Sequence, residues 1–234
     1  MPIKRGLHPH CISGIRHLMT IHAPVPDYAA ARAAMVDAQL RPEGVNSPPV
    51  VEAMAAVKRE EFVAEDARPI AYIDRTVPMG DGRMLSGPVV LGTLLTEMMP
   101  VAGERALVVG CGTGYSAAVL KQIGLDVTGL ESSAVLAERA RSLGISVVEG
   151  PLEQGWAKGA PYNLILIDGA VERIPDAIVD QLADHGRLGT ALIDRGISRL
   201  AVGRRAGKGF GIHTMADSGA AALPGFSCPQ LFTF

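Results

Sequence analysis

The chain has 234 residues, 48% of them hydrophobic, and a formal net charge of −2. That length builds one α/β domain with a substantial core and falls short of two. The near-neutral balance leaves no electrostatic footprint for nucleic acid or anionic lipid, and no stretch approaches the roughly 20 apolar residues of a membrane span.

Three cysteines, Cys11, Cys111 and Cys228, stand far apart. They make no CxxC pair and no disulfide framework, which fits a reducing cytosol. Residues 1–27 read as a disordered or mis-started tail: Lys4, Arg5 and Arg16 have no continuous apolar run beside them, which argues against a signal peptide, and Met19 is an alternative start. His8, His10 and Cys11 imitate a metal cluster, but no further spaced ligand follows.

Residues 28–100 form an N-terminal helical segment. Tyr28 to Leu40 is rich in helix formers and is stopped by Pro42 and Gly44. A second helix is expected from Ser47 to Val57, with prolines in its first turn and Val50, Val51, Met54 and Val57 on one face. After Phe62-Val63 and an acidic patch, residues 71–88 hold Pro78, Gly80, Gly82, Gly87 and Pro88, and read as turns and short extended pieces. A helix from Pro88 to Met99 closes the segment.

Residues 101–234 alternate strand and helix. Strands are expected at Arg105–Val109, Asp126–Leu130, Ser146–Val148 and Leu164–Ile167. Helices are expected at Ser116–Ile123, Ala134–Leu143 and Pro175–Leu182, and closing strands at Arg187–Leu192, Leu200–Arg204 and Phe210–Met215. This alternation predicts a doubly wound, mostly parallel Rossmann-like α/β sheet, with ligands at the carboxyl ends of the strands.

The first strand runs into Gly110-Cys111-Gly112-Thr113-Gly114 and then directly into a helix. Glycines allow the sharp turn and leave no Cβ against a cofactor lying over the loop. A dinucleotide fingerprint places its last glycine one residue later, where Tyr115 stands; the spacing therefore favours a cofactor without a pyrophosphate. Glu131 ends the second strand, about 20 residues beyond the first glycine, where an acid can accept both ribose hydroxyls.

Around these residues the chain, from Met35 to Leu192, resembles the protein-L-isoaspartate O-methyltransferases. The similarity rests on Gln39-Leu40-Arg41-Pro42-Glu43-Gly44, Phe62-Val63, Ala71-Tyr72-Ile73-Asp74, Pro78-Met79-Gly80-Asp81-Gly82, Gly114-Tyr115-Ser116-Ala117-Ala118, Gly155-Trp156 and Gln181-Leu182. It implies a class I methyltransferase fold, S-adenosylmethionine as cofactor held by Gly110, Gly112, Gly114, Glu131 and Asp168, and isoaspartyl proteins or peptides as substrate. A turn aspartate with a structural role fits Asp168 equally well.

The family's active-site block Gly-Gln-Thr-Ile-Ser-Gln-Pro aligns with Gly82-Arg83-Met84-Leu85-Ser86-Gly87-Pro88. Ser86 falls on the catalytic serine, and Arg83 stands where it can pair with a substrate carboxylate. The acid that the family directs at the adenine amino group is Pro151 here, with Glu149 two places away. The resemblance implies repair: methylation of the isoaspartyl α-carboxylate in a shallow groove formed by the N-terminal helices and residues 71–88, and spontaneous cyclisation of the ester to a succinimide. A cytoplasmic monomer without membrane or nucleic-acid partners is expected. The departures at Arg83, Met84, Gly87 and Pro151 keep two alternatives open: a methyltransferase of the same fold acting on another carboxylate or a small molecule, and a silent relative that binds cofactor without turnover.

Overall fold

The structure is a computed structural model, and it describes residues 26–228. The tail readings on His8, His10, Cys11 and Met19 lie outside the described residues. Helix α1 (Tyr28–Met35) starts at Asp27, whose carboxylate accepts the Ala30 N–H at 3.0 Å. The helical path expected as far as Leu40 continues as a π-helical turn, Val36–Leu40. Helix α2 (Pro48–Ala56) carries its prolines in the first turn, where the missing N–H groups have no intrahelical role. Two 3-10 turns, Arg59–Glu61 and Glu65–Ile70, precede the hairpin of β1 (Val77–Gly80) and β2 (Arg83–Leu85), and α3 (Pro88–Met98) follows.

The alternating part supplies β3 (Arg105–Val109), α4 (Tyr115–Ile123), β4 (Asp126–Glu131), α5 (Ala134–Ser142), β5 (Val147–Glu149), β6 (Tyr162–Val171), α6 (Asp176–Val179), β7 (Leu182–Asp194), β8 (Ile197–Ala206) and β9 (Gly209–Asp217). Strands β3 to β9 form one sheet of order β5-β4-β3-β6-β7-β8-β9. Strands β3 to β7 pair in parallel, whereas β8 and β9 close the sheet antiparallel. The chain builds outward from β3 through β4 to β5, then returns to place β6 on the other side of β3. This reversal opens a crevice at the carboxyl ends of β3 and β6, the favoured ligand position in such sheets.

Strand alternation divides the core. Ala106, Val108, Leu164 and Leu166 pack with residues of α1–α5, while Leu107, Val109, Ile165 and Ile167 face the other side. That second face has thin cover: Leu152, Ile178, Leu223 and Phe226 come from a 3-10 turn, α6 and the C-terminal segment. The helix expected over 175–182 shortens to the four residues of α6. Its end is taken by Gln181, whose side-chain amide donates to Gln154 O and Ala177 O and accepts the Trp156 N–H, while its carbonyl accepts the Tyr162 N–H at 2.8 Å. The chain thus enters β7 at Leu182, earlier than its apolar run indicates.

Candidate cofactor and substrate site

The glycine loop lies in the crevice between β3 and β6. Gly110, Gly112 and Gly114 have φ of +72°, +55° and +97°, a region that side chains other than glycine enter at a cost, so the loop needs glycine at these positions. The Gly110 and Cys111 N–H groups both bond Leu130 O, which fastens the loop to the end of β4. The space over the loop is close-packed: a Cβ on Gly112 would lie 2.7 Å from the Met79 sulfur, and one on Gly110 would lie 2.9 Å from Leu223 and 3.2 Å from Arg83 Nη2.

Residues 59–63 buttress the loop from behind. The Thr113 hydroxyl donates to Phe62 O, and the Phe62 and Tyr115 rings meet edge to face at 5.6 Å. The Arg59 guanidinium is fully buried, 4.9 Å from the centre of the Tyr115 ring, and donates to Ala71 O at 2.6 Å and Ser86 O at 2.5 Å. Its Nη1 and the Tyr115 hydroxyl have no hydrogen-bond partner among the described residues. Burial pushes the Arg59 pKa down and the Tyr115 pKa up, opposed in each case by their mutual attraction. Arg59 thereby ties the backbone of Ser86 to the first residue of α4. Nothing in the sequence flagged Arg59, because Lys58-Arg59-Glu60-Glu61 has the look of a solvated charge run; the structure buries the middle pair instead, with Glu60 held by Tyr72 and Arg32.

Glu131 has no exposed surface. Its Oε2 accepts the Gly112 N–H at 2.8 Å, and Oε1 accepts the Ser132 and Ser133 N–H groups at 2.8 and 3.1 Å. Arg83 completes the set: its Nη1 donates to the same Oε1 at 2.9 Å, and its Nη2 donates to Gly110 O at 3.1 Å. The side chain expected to meet a substrate carboxylate therefore lies on the cofactor side. Asp168, in the irregular stretch of β6 between Leu166 and Ala170, accepts the Ser116 hydroxyl at 2.6 Å, and burial raises its pKa against the hydrogen bond from Ser116 and the charges of Arg83 and Arg59. Ser86 is 6% exposed, and its hydroxyl makes no hydrogen bond among the described residues. The structure thus gathers Gly110, Gly112 and Arg83 around a buried Glu131, places Gly114 at the start of α4 and a half-buried Asp168 on Ser116 of that helix, and ties the Ser86 backbone to the same helix through Arg59.

A family model described as protein-L-isoaspartate(D-aspartate) O-methyltransferase matches residues 31–209. The chain belongs to this family. It is similar to the protein-L-isoaspartate O-methyltransferase of Methylorubrum extorquens, with 39% identity over 70% of the chain and 75% of that protein. With the Gloeobacter violaceus protein of the same name it shares 40% identity over 66% of the chain and 78% of that protein. Among solved structures, a protein-L-isoaspartate O-methyltransferase superposes with TM-score 0.72 over 83% of the chain and 66% of that protein, at 21% identity. A putative protein-L-isoaspartate O-methyltransferase from Plasmodium falciparum, in complex with S-adenosyl-L-homocysteine, superposes with TM-score 0.70 over 82% of the chain and 97% of its own length, at 20% identity. At these identities the two structures establish the fold alone.

One departure from the isoaspartyl methyltransferase pattern has a local physical reason. At Gly87, in place of the family's glutamine, a Cβ would lie 2.7 Å from Asp74 Oδ1, and this carboxylate accepts the Val89 N–H at the start of α3. Asp74 thus caps the helix from outside, and glycine makes room for it. Glu149, two places from Pro151, pairs with Arg141 at 2.8 Å at the surface.

The donor set fits the nucleoside part of S-adenosylmethionine in kind: a glycine backbone at a helix start with a strand-end carboxylate beside it, under a cover of Met79, Leu223 and Arg83. Full access to that carboxylate requires Arg83 to move, because Oε1 already accepts three N–H groups and an oxygen has about two lone-pair directions. Among the described residues no group of His, Cys, Asp and Glu is arranged to hold a metal ion, and no helix is long and apolar enough to cross a membrane.

Proposed function

We propose that this chain transfers a methyl group from S-adenosylmethionine to the α-carboxylate of L-isoaspartyl residues in damaged proteins. One observation supports the reading: in a chain of this family the glycine loop is bonded to a buried Glu131, and Arg59 ties the Ser86 backbone to the helix that follows the loop. When bound, S-adenosylmethionine would supply a methyl group already activated by its sulfonium for transfer to a carboxylate oxygen.

The protein's own task is alignment and dehydration. Glu131 would accept the ribose hydroxyls, and Asp168 would serve the amino-acid end of the cofactor. The Ser86 hydroxyl donates to the substrate carboxylate, and Arg59 fixes its height above the loop through Ser86 O. No strong base is needed, because the carboxylate is ionised at neutral pH. Positioning of this kind contributes up to about 7–11 kcal/mol in the best cases.

A cavity of about 350 Å³ opens beside Gly87, lined by Asp74, Arg75, Val89 and Thr93 among others. It offers the residues flanking the isoaspartate a place to lie. The working form is taken to be a cytoplasmic monomer that acts on peptide rather than on nucleic acid, in keeping with the net charge of −2.

A second reading, favoured by Met84 and Pro151, keeps the fold and the cofactor but changes the carboxylate that is methylated. Labelled-methyl transfer to an isoaspartyl peptide and to its aspartyl twin tests both. Label on the isoaspartyl peptide alone supports repair; label on neither peptide, with S-adenosylhomocysteine still bound, favours the second reading.

A further inference from the structure

Arg83 replaces a glutamine of the family pattern, and its guanidinium lies on the carboxylate that the ribose needs. Three features make this placement specific. The hairpin that delivers Arg83 turns through Asp81 and Gly82, both at positive φ (+49° and +68°), and the Asp81 carboxylate is held by the Ser133 hydroxyl at the start of α5. Arg83 forks between Glu131 Oε1 and Gly110 O, so that it closes the acid and the loop together. Its partner Glu131 has no exposed surface, and the Arg83 side chain is 11% exposed.

The ribose diol and the guanidinium are therefore competitors for one oxygen. Glu131 keeps its three backbone N–H partners whichever of them it holds. A guanidinium displaced from Oε1 remains a cation that requires an anion, and it is anchored three residues before Ser86 on the same strand and turn.

We propose that Arg83 is a two-position side chain that makes substrate binding depend on cofactor binding. In one position it closes Glu131 and Gly110. When the ribose takes Glu131, the guanidinium passes to the substrate carboxylate beside Ser86, and cofactor binds first. This inference rests on the methyltransferase reading above and adds an order of binding to it. It also assigns Arg83 a cost: each cofactor molecule must displace a buried ion pair, so apparent affinity is reduced by the fraction of molecules that are closed.

Calorimetry with S-adenosylhomocysteine, and with an isoaspartyl peptide in its presence and absence, tests this on the full chain. Arg83→Gln, which restores the family residue, should bind S-adenosylhomocysteine about tenfold more tightly than wild type, because the competing cation is gone. Wild type should bind the peptide measurably only when S-adenosylhomocysteine is present, and Arg83→Gln should lose at least about tenfold of that peptide affinity. Arg83→Lys, which keeps the charge without the fork, should fall between the two in cofactor affinity and provides the same comparison if the glutamine variant folds poorly.

Equal or weaker S-adenosylhomocysteine binding in both variants would show the guanidinium to be part of the cofactor site and would overturn the inference while leaving the methyltransferase reading intact. Peptide affinity in wild type that is indifferent to S-adenosylhomocysteine would also overturn it. Failure of wild type and both variants to bind S-adenosylhomocysteine would remove the cofactor reading itself.

Discussion

Replacing Ser86 by alanine should leave S-adenosylhomocysteine affinity nearly unchanged and lower kcat/KM on isoaspartyl peptide. The loss of one charge-assisted hydrogen bond, about 1.5–3 kcal/mol, corresponds to a drop of roughly 10- to 150-fold. Ser86 makes no hydrogen bond through its hydroxyl among the described residues, so the substitution removes little from the fold, and an unchanged steady-state rate would reduce it to a turn residue. Glu131 and the three glycines were legible in the sequence because their chemistry depends on local order: a strand end, a turn, a helix start. Arg59 was not legible. Its burial depends on Tyr115, Ala71 and Ser86, which lie far from it in the chain, and a charged residue flanked by Lys58 and Glu60 gives no hint of such partners. Arg83 was expected to meet a substrate carboxylate, and the carboxylate it meets in the structure is the protein's own Glu131.

At the scale of elements, the glycine loop and strand β7 make separate predictions. Gly112→Val places a branched side chain at a φ of +55° and within 2.7 Å of Met79. Calorimetry should find S-adenosylhomocysteine binding abolished in this variant, and weakened at least about tenfold in Glu131→Ala, where an acceptor for hydroxyls is lost. Wild-type affinity in both folded variants would remove the cofactor assignment.

The second element-scale device is Arg187 on β7. Its guanidinium forks onto Glu104 at 2.6 and 2.7 Å and also bonds the carbonyls of Met98 and Met99 at the end of α3. Lysine keeps the charge but cannot reproduce four directed bonds. Arg187→Lys should therefore cost about 1–3 kcal/mol in a urea melt, and Arg187→Lys with Glu104→Gln should cost little more than either change alone. The hairpin carrying Arg83 shows why residues 71–88 were read as turns and short extended pieces without a named strand pair: Asp81-Gly82 is a strong signal for a tight hairpin turn, but flanking strands of four and three residues are too short to show alternation.

Over the whole molecule, two carboxyl groups pull stability in opposite directions with pH. Burial raises the folded pKa of Asp168, so between its unfolded and folded values the native chain holds more protons than the unfolded one, and stability falls as pH rises through that window. Glu104 is the reverse. Burial pushes its pKa up, but the Arg187 and Val101 hydrogen bonds outweigh burial and bring it below the ordinary value, so its contribution is complete above the unfolded value and is lost as pH falls through the folded one. Thermal melts of wild type and Asp168→Asn across about pH 4–8 should diverge in favour of the variant as pH rises; parallel curves would show that Asp168 keeps its charge freely. The mostly parallel sheet was readable from the alternation of apolar runs. The unequal cover of its two faces was not, because Leu223 and Phe226 reach the sheet by long-range contact.

That thin cover has a kinetic consequence. The C-terminal segment is attached to the end of β6 by two backbone hydrogen bonds, Ala170 N–H to Ala221 O and Leu223 N–H to Ala170 O, each 2.8 Å. Leu223 also packs on Gly110, so one segment both seals the second face of the sheet and roofs the glycine loop. Few contacts hold it, and such a segment opens locally at a fraction of the free energy of global unfolding. The amides of Ala170 and Leu223 should therefore exchange with deuterium well ahead of those of Val108 and Leu166. A ligand seated on the loop should slow the first pair and leave the second unchanged. Hydrogen-exchange mass spectrometry with and without S-adenosylhomocysteine would read this directly, and it makes residues 220–226 the place where occupancy of the site governs resistance to proteolysis.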